Sequence, residues 1–117
     1  MADVTESVAF RVSTPDGLAS VEKFGRWCAE DALNECYRFL VDVRRFSRAA
    51  VVRRAEKDVV TDLAADQRLG FTHTDEQAHL WRERYVAGFV ACWFDDAVRA
   101  RLLAERRRRG FVMVCMR

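Results

Sequence analysis

The sequence has little of what marks a catalytic or metal-bound protein. One proline and five scattered glycines leave no Gly-rich phosphate loop, and neither G-x-S-x-G nor H-E-x-x-H occurs. The only two histidines, His73 and His79, stand far from every cysteine pair. The four cysteines, Cys28, Cys36, Cys92 and Cys115, contain no C-x-x-C. Zinc-ligand spacing is therefore missing, and the cysteines read as reduced, small hydrophobes. No catalytic residue, metal or cofactor is expected. The longest apolar run, residues 86–94, has nine residues against the roughly 18 that a spanning helix needs. The opening MADVTE has neither the basic start nor the apolar stretch of a secretion signal. The expected address is cytoplasmic, with room for a peripheral place at the membrane.

What is present suits one helical domain. Half of the residues are apolar, and eight Phe, three Trp and two Tyr are enough for one core. Residues 1–13, in which Val8, Phe10 and Val12 alternate, read as a loose tail before a single helical domain over 14–117. Thr14-Pro15-Asp16-Gly17 supplies a turn or helix start. Leu18, Val21, Phe24, Trp27 and Cys28 then share one helical stripe, predicting a helix over 18–29. Leu33, Cys36, Phe39, Leu40, Val43 and Phe46 form the strongest stripe, predicting a second helix over 32–47. The charge-rich 47–70 segment reads as another helix ending near Gly70. Thr74-Asp75-Glu76-Gln77 has the capping-box form, so a helix should start there and stop at Gly88, leaving 89–94 as an apolar connector. Asp95 then caps a helix over 95–109, which Gly110 terminates. The expected fold is all-α, a bundle of about five helices whose interior gathers Phe24, Trp27, Phe39, Phe46, Trp81 and Tyr85.

Charge is nearly balanced at +2 but unevenly placed. From Arg99 onward there are seven Arg and one Glu, or +6, which leaves 13 basic against 17 acidic residues, or −4, before it. Arg106-Arg107-Arg108-Arg109 lies where cations favour the negative end of a helix dipole. It is also a possible weak contact for an anionic nucleic-acid or lipid surface. The acidic pairs Glu30-Asp31, Asp75-Glu76 and Asp95-Asp96 stand at expected helix starts, where the dipole accounts for them.

Phe24, Trp27, Cys28 and Glu30, continued by Glu35-Cys36-Tyr37-Arg38-Phe39-Leu40, Val43 and Phe46, resemble the signature of regulator of G-protein signalling (RGS) domains. Leu80-Trp81-Arg82-Glu83-Arg84-Tyr85-Val86 and Cys92-Trp93-Phe94-Asp95-Asp96-Ala97-Val98-Arg99 are similar to two further family stretches. The resemblance spans roughly 17–105, with a dissimilar middle. It implies a helical domain that binds the Gα subunit of a heterotrimeric G protein and promotes GTP hydrolysis by holding the switch segments in their reactive arrangement. It would place Asn34, Glu35 and Cys36 on one partner-facing loop, and Trp93, Asp95 and Arg99 on another. The sequence departs from the pattern in three places. Cys36 stands where the family has a contacting Asn, Trp93 replaces a second Asn, and the last two family helices have no counterpart after Gly110, as in an incomplete domain. Two alternatives follow: an RGS-like scaffold without GTPase acceleration, or a small nucleic-acid or lipid-surface binder using the Arg-rich end. With the donor at Cys36 lost, single-turnover GTP hydrolysis by Gα should be accelerated weakly or not at all by this chain; full acceleration would overturn the carry-over at Cys36.

Overall fold

The computed structural model describes residues 7–42 and 46–109. Among them lie six helices and no strand: α1 (Val8–Arg11), α2 (Pro15–Glu35), α3 (Tyr37–Val41), α4 (Arg48–Arg68), α5 (Asp75–Trp93) and α6 (Asp96–Arg109). The all-α bundle read from the periodicity is the observed class. Val43, Gly110 and Cys115 lie outside the described residues.

Side chains accept from the orphan N–H groups at most helix starts. Thr14 Oγ1 accepts from Gly17 N at 3.0 Å, with Pro15 in the first turn of α2. Ser47 caps α4. Thr74 and Gln77 close the capping box of α5 reciprocally, at 3.1 and 2.8 Å. Asp95 Oδ1 accepts from Ala97 N at 2.9 Å at the head of α6. Gly70, with φ of 86°, follows α4 in the left-handed conformation that ends many helices.

The packing of α2 and α4 on α5 places the other elements. Glu22 pairs with Arg84, Gly25 abuts Tyr85 and Phe89, and Arg26 reaches Asp95, so α2 and α5 run in the same direction. On α4, Glu56 meets Arg82, Asp58 meets Tyr85 and Asp62 faces Trp81, so α4 runs antiparallel to α5. α6 climbs beside the upper half of α2, with Arg101 on Glu30 at 2.9 Å and Arg106 on the Asn34 carbonyl.

Three expectations are corrected. The loose tail over 1–13 is not seen where the chain is described. Residues 1–6 lie outside that range, but from Ser7 onward the chain is docked. Val8 and Val12 are buried, and Asp66 Oδ1 accepts from Val8 N at 3.2 Å. The alternating pattern of Val8, Phe10 and Val12 reflects one helical turn whose two valines face the core while Phe10 stays exposed. The predicted second helix over 32–47 does not form as one element. α2 runs on to Glu35, Cys36 is extended at φ −134°, ψ 113°, and α3 is only five residues long. The break folds Phe39 back against Trp93, with ring centroids 5.2 Å apart, and buries Leu40. A straight continuation of α2 would carry both away from the bundle.

The third correction concerns Gly88, expected to stop a helix at 87. α5 passes through it, and the expected connector 89–94 is its last turn and C-cap. Gly88 serves packing instead. A Cβ there would overlap the Glu22 carbonyl oxygen, and one at Gly25 would overlap that of Tyr85. These two glycines let the α2 and α5 backbones touch. The residues after Gly88 then enter the core: Phe89, Val90, Cys92 and Trp93 are all buried.

The rings expected in the interior mostly meet there. Phe24 contacts Tyr85 at 5.7 Å, Tyr85 stacks on Phe89 at 6.1 Å, Phe89 on Trp93 at 5.8 Å, and Trp93 joins Phe39 and Phe46. Each such pair contributes about 0.5–1.5 kcal/mol beyond area burial. Trp81 is buried on the α4 side. Trp27 is the exception: 57% exposed, it stacks on Phe24 at 6.5 Å from outside. Gly88→Ala should cost about 2 kcal/mol, because an overlap with backbone outweighs the helix-propensity gain of alanine. Urea unfolding should show a lower midpoint at unchanged slope; an equal or higher midpoint would refute the close-contact account.

Candidate functional site: an acidic groove between two helices

Both α2 and α4 pack on α5, yet they scarcely touch each other. Between them lies a groove of about 290 Å³. Phe24, Cys28 and Ala32 of α2 and Tyr85 of α5 form its apolar floor. Asp31 and Glu35 stand on the α2 wall, and Asp58, Thr61 and Asp62 on the α4 wall. Arg54 is the one cation among the lining residues, and its guanidinium lies over the Phe39 ring at 5.7 Å. The α2 residues at 24, 28, 31 and 35 recur at three and four, so they form one stripe flanking the core stripe.

Polar groups of the floor and the α4 wall are linked. Tyr85 donates from its hydroxyl to Asp58 Oδ2 at 2.9 Å and interacts with the Cys28 thiol. Burial, with the neighbouring Cys28 and Asp58, raises the Tyr85 hydroxyl far above its ordinary range, so it stays a donor. Burial also pushes the Cys28 thiol up to about 11, against the pull of the Tyr85 hydrogen bond, and Asp58, Asp62 and Asp31 push it in the same direction as burial. A thiol held in this way is a poor nucleophile. Asp62 is pushed up to about 6, first by burial and then by Asp58, while the Trp81 indole opposes the shift. Its Oδ2 is buried without a hydrogen bond, and the N–H of Trp81, a residue 95% buried, also lacks one of good geometry. The indole N–H and the carboxylate therefore face each other behind the α4 wall.

The six residues assigned to a partner surface do not assemble into one. Trp93 is 1% exposed and belongs to the ring ladder. Arg99 is 8% exposed and donates from its guanidinium to the Trp93 carbonyl at 2.8 Å, tying α6 to the end of α5. Asp95 caps α6 and reaches Arg26 at 3.8 Å. The Asn34 carbonyl accepts from Arg106, Cys36 is the half-buried joint before α3, and only Glu35 is exposed, on the lip of the groove. Asp95 lies at the start of α6 and Asn34 beside its end, so α6 separates the two loops by roughly 16 Å at 1.5 Å per residue. Within the basic quartet, Arg106 is buried and lies over the Tyr37 ring at 6.0 Å; Arg107, Arg108 and Arg109 are exposed.

Asp58 and Asp62, by contrast, belong to no motif in the sequence. Their signal was available: like charges four apart disfavour an isolated helix and need a reason elsewhere. Among the described residues no three His, Cys, Asp or Glu side chains converge as a metal site, and no helix is long and apolar enough to cross a membrane. No protein-family model, curated protein or solved structure matches the chain.

A carboxyl whose folded-state pKa is raised binds its proton more tightly in the folded state, so its contribution to stability is largest below the unfolded value near 4 and is lost as pH rises through about 6. Asp62→Asn should therefore flatten the fall in stability between pH 4 and 7 and leave the variant more stable than the parent at pH 7.5 by about 1 kcal/mol, allowing for screening at the groove mouth. Chemical denaturation at several pH values checks this; an unchanged pH slope would contradict the burial of Asp62.

Proposed function

We propose that the chain is a non-catalytic protein-interaction domain that receives a cationic side chain of its partner in the groove between α2 and α4. The observation that carries this reading is the composition of the cleft. Four carboxylates, Asp31, Glu35, Asp58 and Asp62, face a concavity floored by Phe24 and Tyr85, with Arg54 the single opposing cation. A guanidinium or ammonium entering it gains charge pairing, the face of an aromatic ring and an accepting Asp62 oxygen in a partly desolvated place. The volume is near the lower end of small-ligand sites, which suits one side chain better than a cofactor.

Catalysis has less support in the same groups. The Cys28 thiol, pushed up to about 11, stays protonated at neutral pH. A Gα partner, implied by the RGS resemblance, belongs to the same class of reading. It would meet Glu35 and the partly exposed Cys36 and Asp95, while Trp93 and Arg99 hold the bundle together.

Isothermal titration of the chain with a short Arg-rich peptide should show saturable one-to-one binding that weakens at least fivefold between 50 and 300 mM salt. Asp31→Asn with Glu35→Gln, both at exposed positions, should weaken it by a similar factor without changing the unfolding midpoint. An acidic peptide should not bind. Equal binding by the double variant, or no binding at all, would overturn the groove as the site; capture of anionic vesicles or duplex DNA through Arg107 and Arg108 instead would favour the basic end as the functional surface.

A further inference from the structure

Resting on the reading of the groove as a cation site, we infer that its occupant is the end of α6 from a second copy of this chain, with Arg107 and Arg108 entering between Asp31, Glu35, Asp58 and Asp62. The first argument is charge. The segment from Arg99 onward carries +6 and the rest −4, so each molecule holds both a donor and an acceptor of the same kind of contact. Head-to-tail approach of two copies brings opposite charges together, whereas alignment of like ends does not.

The second argument is presentation. Arg106 is buried, donating to the Asn34 carbonyl and lying over the Tyr37 ring, and this fixes the last turn of α6 against α2 and α3. Arg107 and Arg108 follow directly on that anchored turn and are exposed. They are offered from a helix held in place, so less freedom is lost when they are bound than from an unanchored segment.

The third argument is geometry. α6 lies on the flank of α2 that carries Glu30 and Asn34. The groove opens on the flank that carries Phe24, Cys28 and Asp31. At 100° per residue the two flanks are turned roughly 110° from each other, and no residue of α6 lines the groove, so a molecule's own arginines are not seated in it. The contact is then intermolecular. Because it joins two different surfaces, it is heterologous and leaves a free groove at one end of the pair and a free α6 end at the other. The Asp62 carboxylate on the α4 wall is the acceptor at which the entering guanidinium would terminate.

Sedimentation velocity on the full chain at low salt should show concentration-dependent association beyond a monomer that reverts at 300 mM salt. Asp31→Asn/Glu35→Gln should be monomeric, and so should Arg107→Gln/Arg108→Gln. Their equimolar mixture should form a one-to-one heterodimer and nothing larger, because one retains the α6 end and the other the groove. A wild-type chain that stays monomeric while the Arg-rich peptide still binds would overturn the self-association and leave the groove reading standing. Failure of the peptide as well would remove both. Self-association that persists in either double variant would show a different interface and overturn the inference.

Discussion

The contact on which this structure depends is the backbone approach of α2 to α5 at Gly25 and Gly88. Each glycine lies against a carbonyl of the other helix, and no side chain, not even a methyl group, fits between them. Such proximity brings Phe24 into edge contact with Tyr85 and lets the rings of α5 continue through Phe89 to Trp93. Had the helices packed at the usual 8–10 Å through larger side chains, the ladder would have been split between two surfaces. The remaining helices take their positions from this pair. α4 lies on the Trp81–Tyr85 flank of α5, and α6 follows the Glu30–Asn34 flank of α2.

The groove is a consequence of that arrangement. Since α4 is held by α5 and hardly at all by α2, the facing flanks of α2 and α4 are left without a common apolar seam. Their residues are Asp31 and Glu35 on one side and Asp58 and Asp62 on the other. Like charges across a gap oppose its closure, and the hydrogen bond from Tyr85 to Asp58 fixes one wall to the floor. The raised pKa of Asp62 reflects the same conflict: a carboxylate partly withdrawn from water beside another carboxylate favours its neutral form. On the proposed reading, a cation in the groove would reverse that balance and so couple binding to proton release.

Much of the fold could be read from residue order, and the failures share a physical cause. The capping box at Thr74 and Gln77, the cap at Asp95 and the end of α4 near Gly70 are local signals, and all three hold. Gly88 and the stripe through Cys36 misled because their meaning is tertiary. A glycine is read as a stop when its neighbour in space is unknown, and here that neighbour is the Glu22 carbonyl. A three-and-four spacing from Leu33 to Phe46 fits a straight helix equally well as a helix, a joint and a short return. Contact of Phe39 with Trp93, and the donation from Arg106 to the Asn34 carbonyl, decide between them. That carbonyl would otherwise accept from the amide four residues on, so the guanidinium replaces the hydrogen bond that continuing α2 would have made. The groove was the least legible part, because its two walls come from segments separated by more than twenty residues.

The aromatic spacing that resembles RGS domains finds its use inside the bundle. Phe24, Tyr85, Trp93, Phe39 and Phe46 are neighbours in one ladder, so their periodicity is accounted for by packing before any partner is considered. Arg99 and Arg106 extend the same logic to charge. Each gives its guanidinium to a main-chain carbonyl at a helix end, Trp93 for α5 and Asn34 for α2, and so closes a terminus that would otherwise be left with unsatisfied acceptors. Removing either arginine would leave a buried carbonyl unpaired, which is a stronger reason for their positions than contact with another protein. Other charges form pairs between helices, as Glu22 with Arg84 and Glu56 with Arg82, while Asp31 and Glu35 on the groove and Arg107 and Arg108 on α6 are exposed. These exposed groups leave one molecule with surfaces of opposite sign, and it is on them that the proposed contact between copies draws.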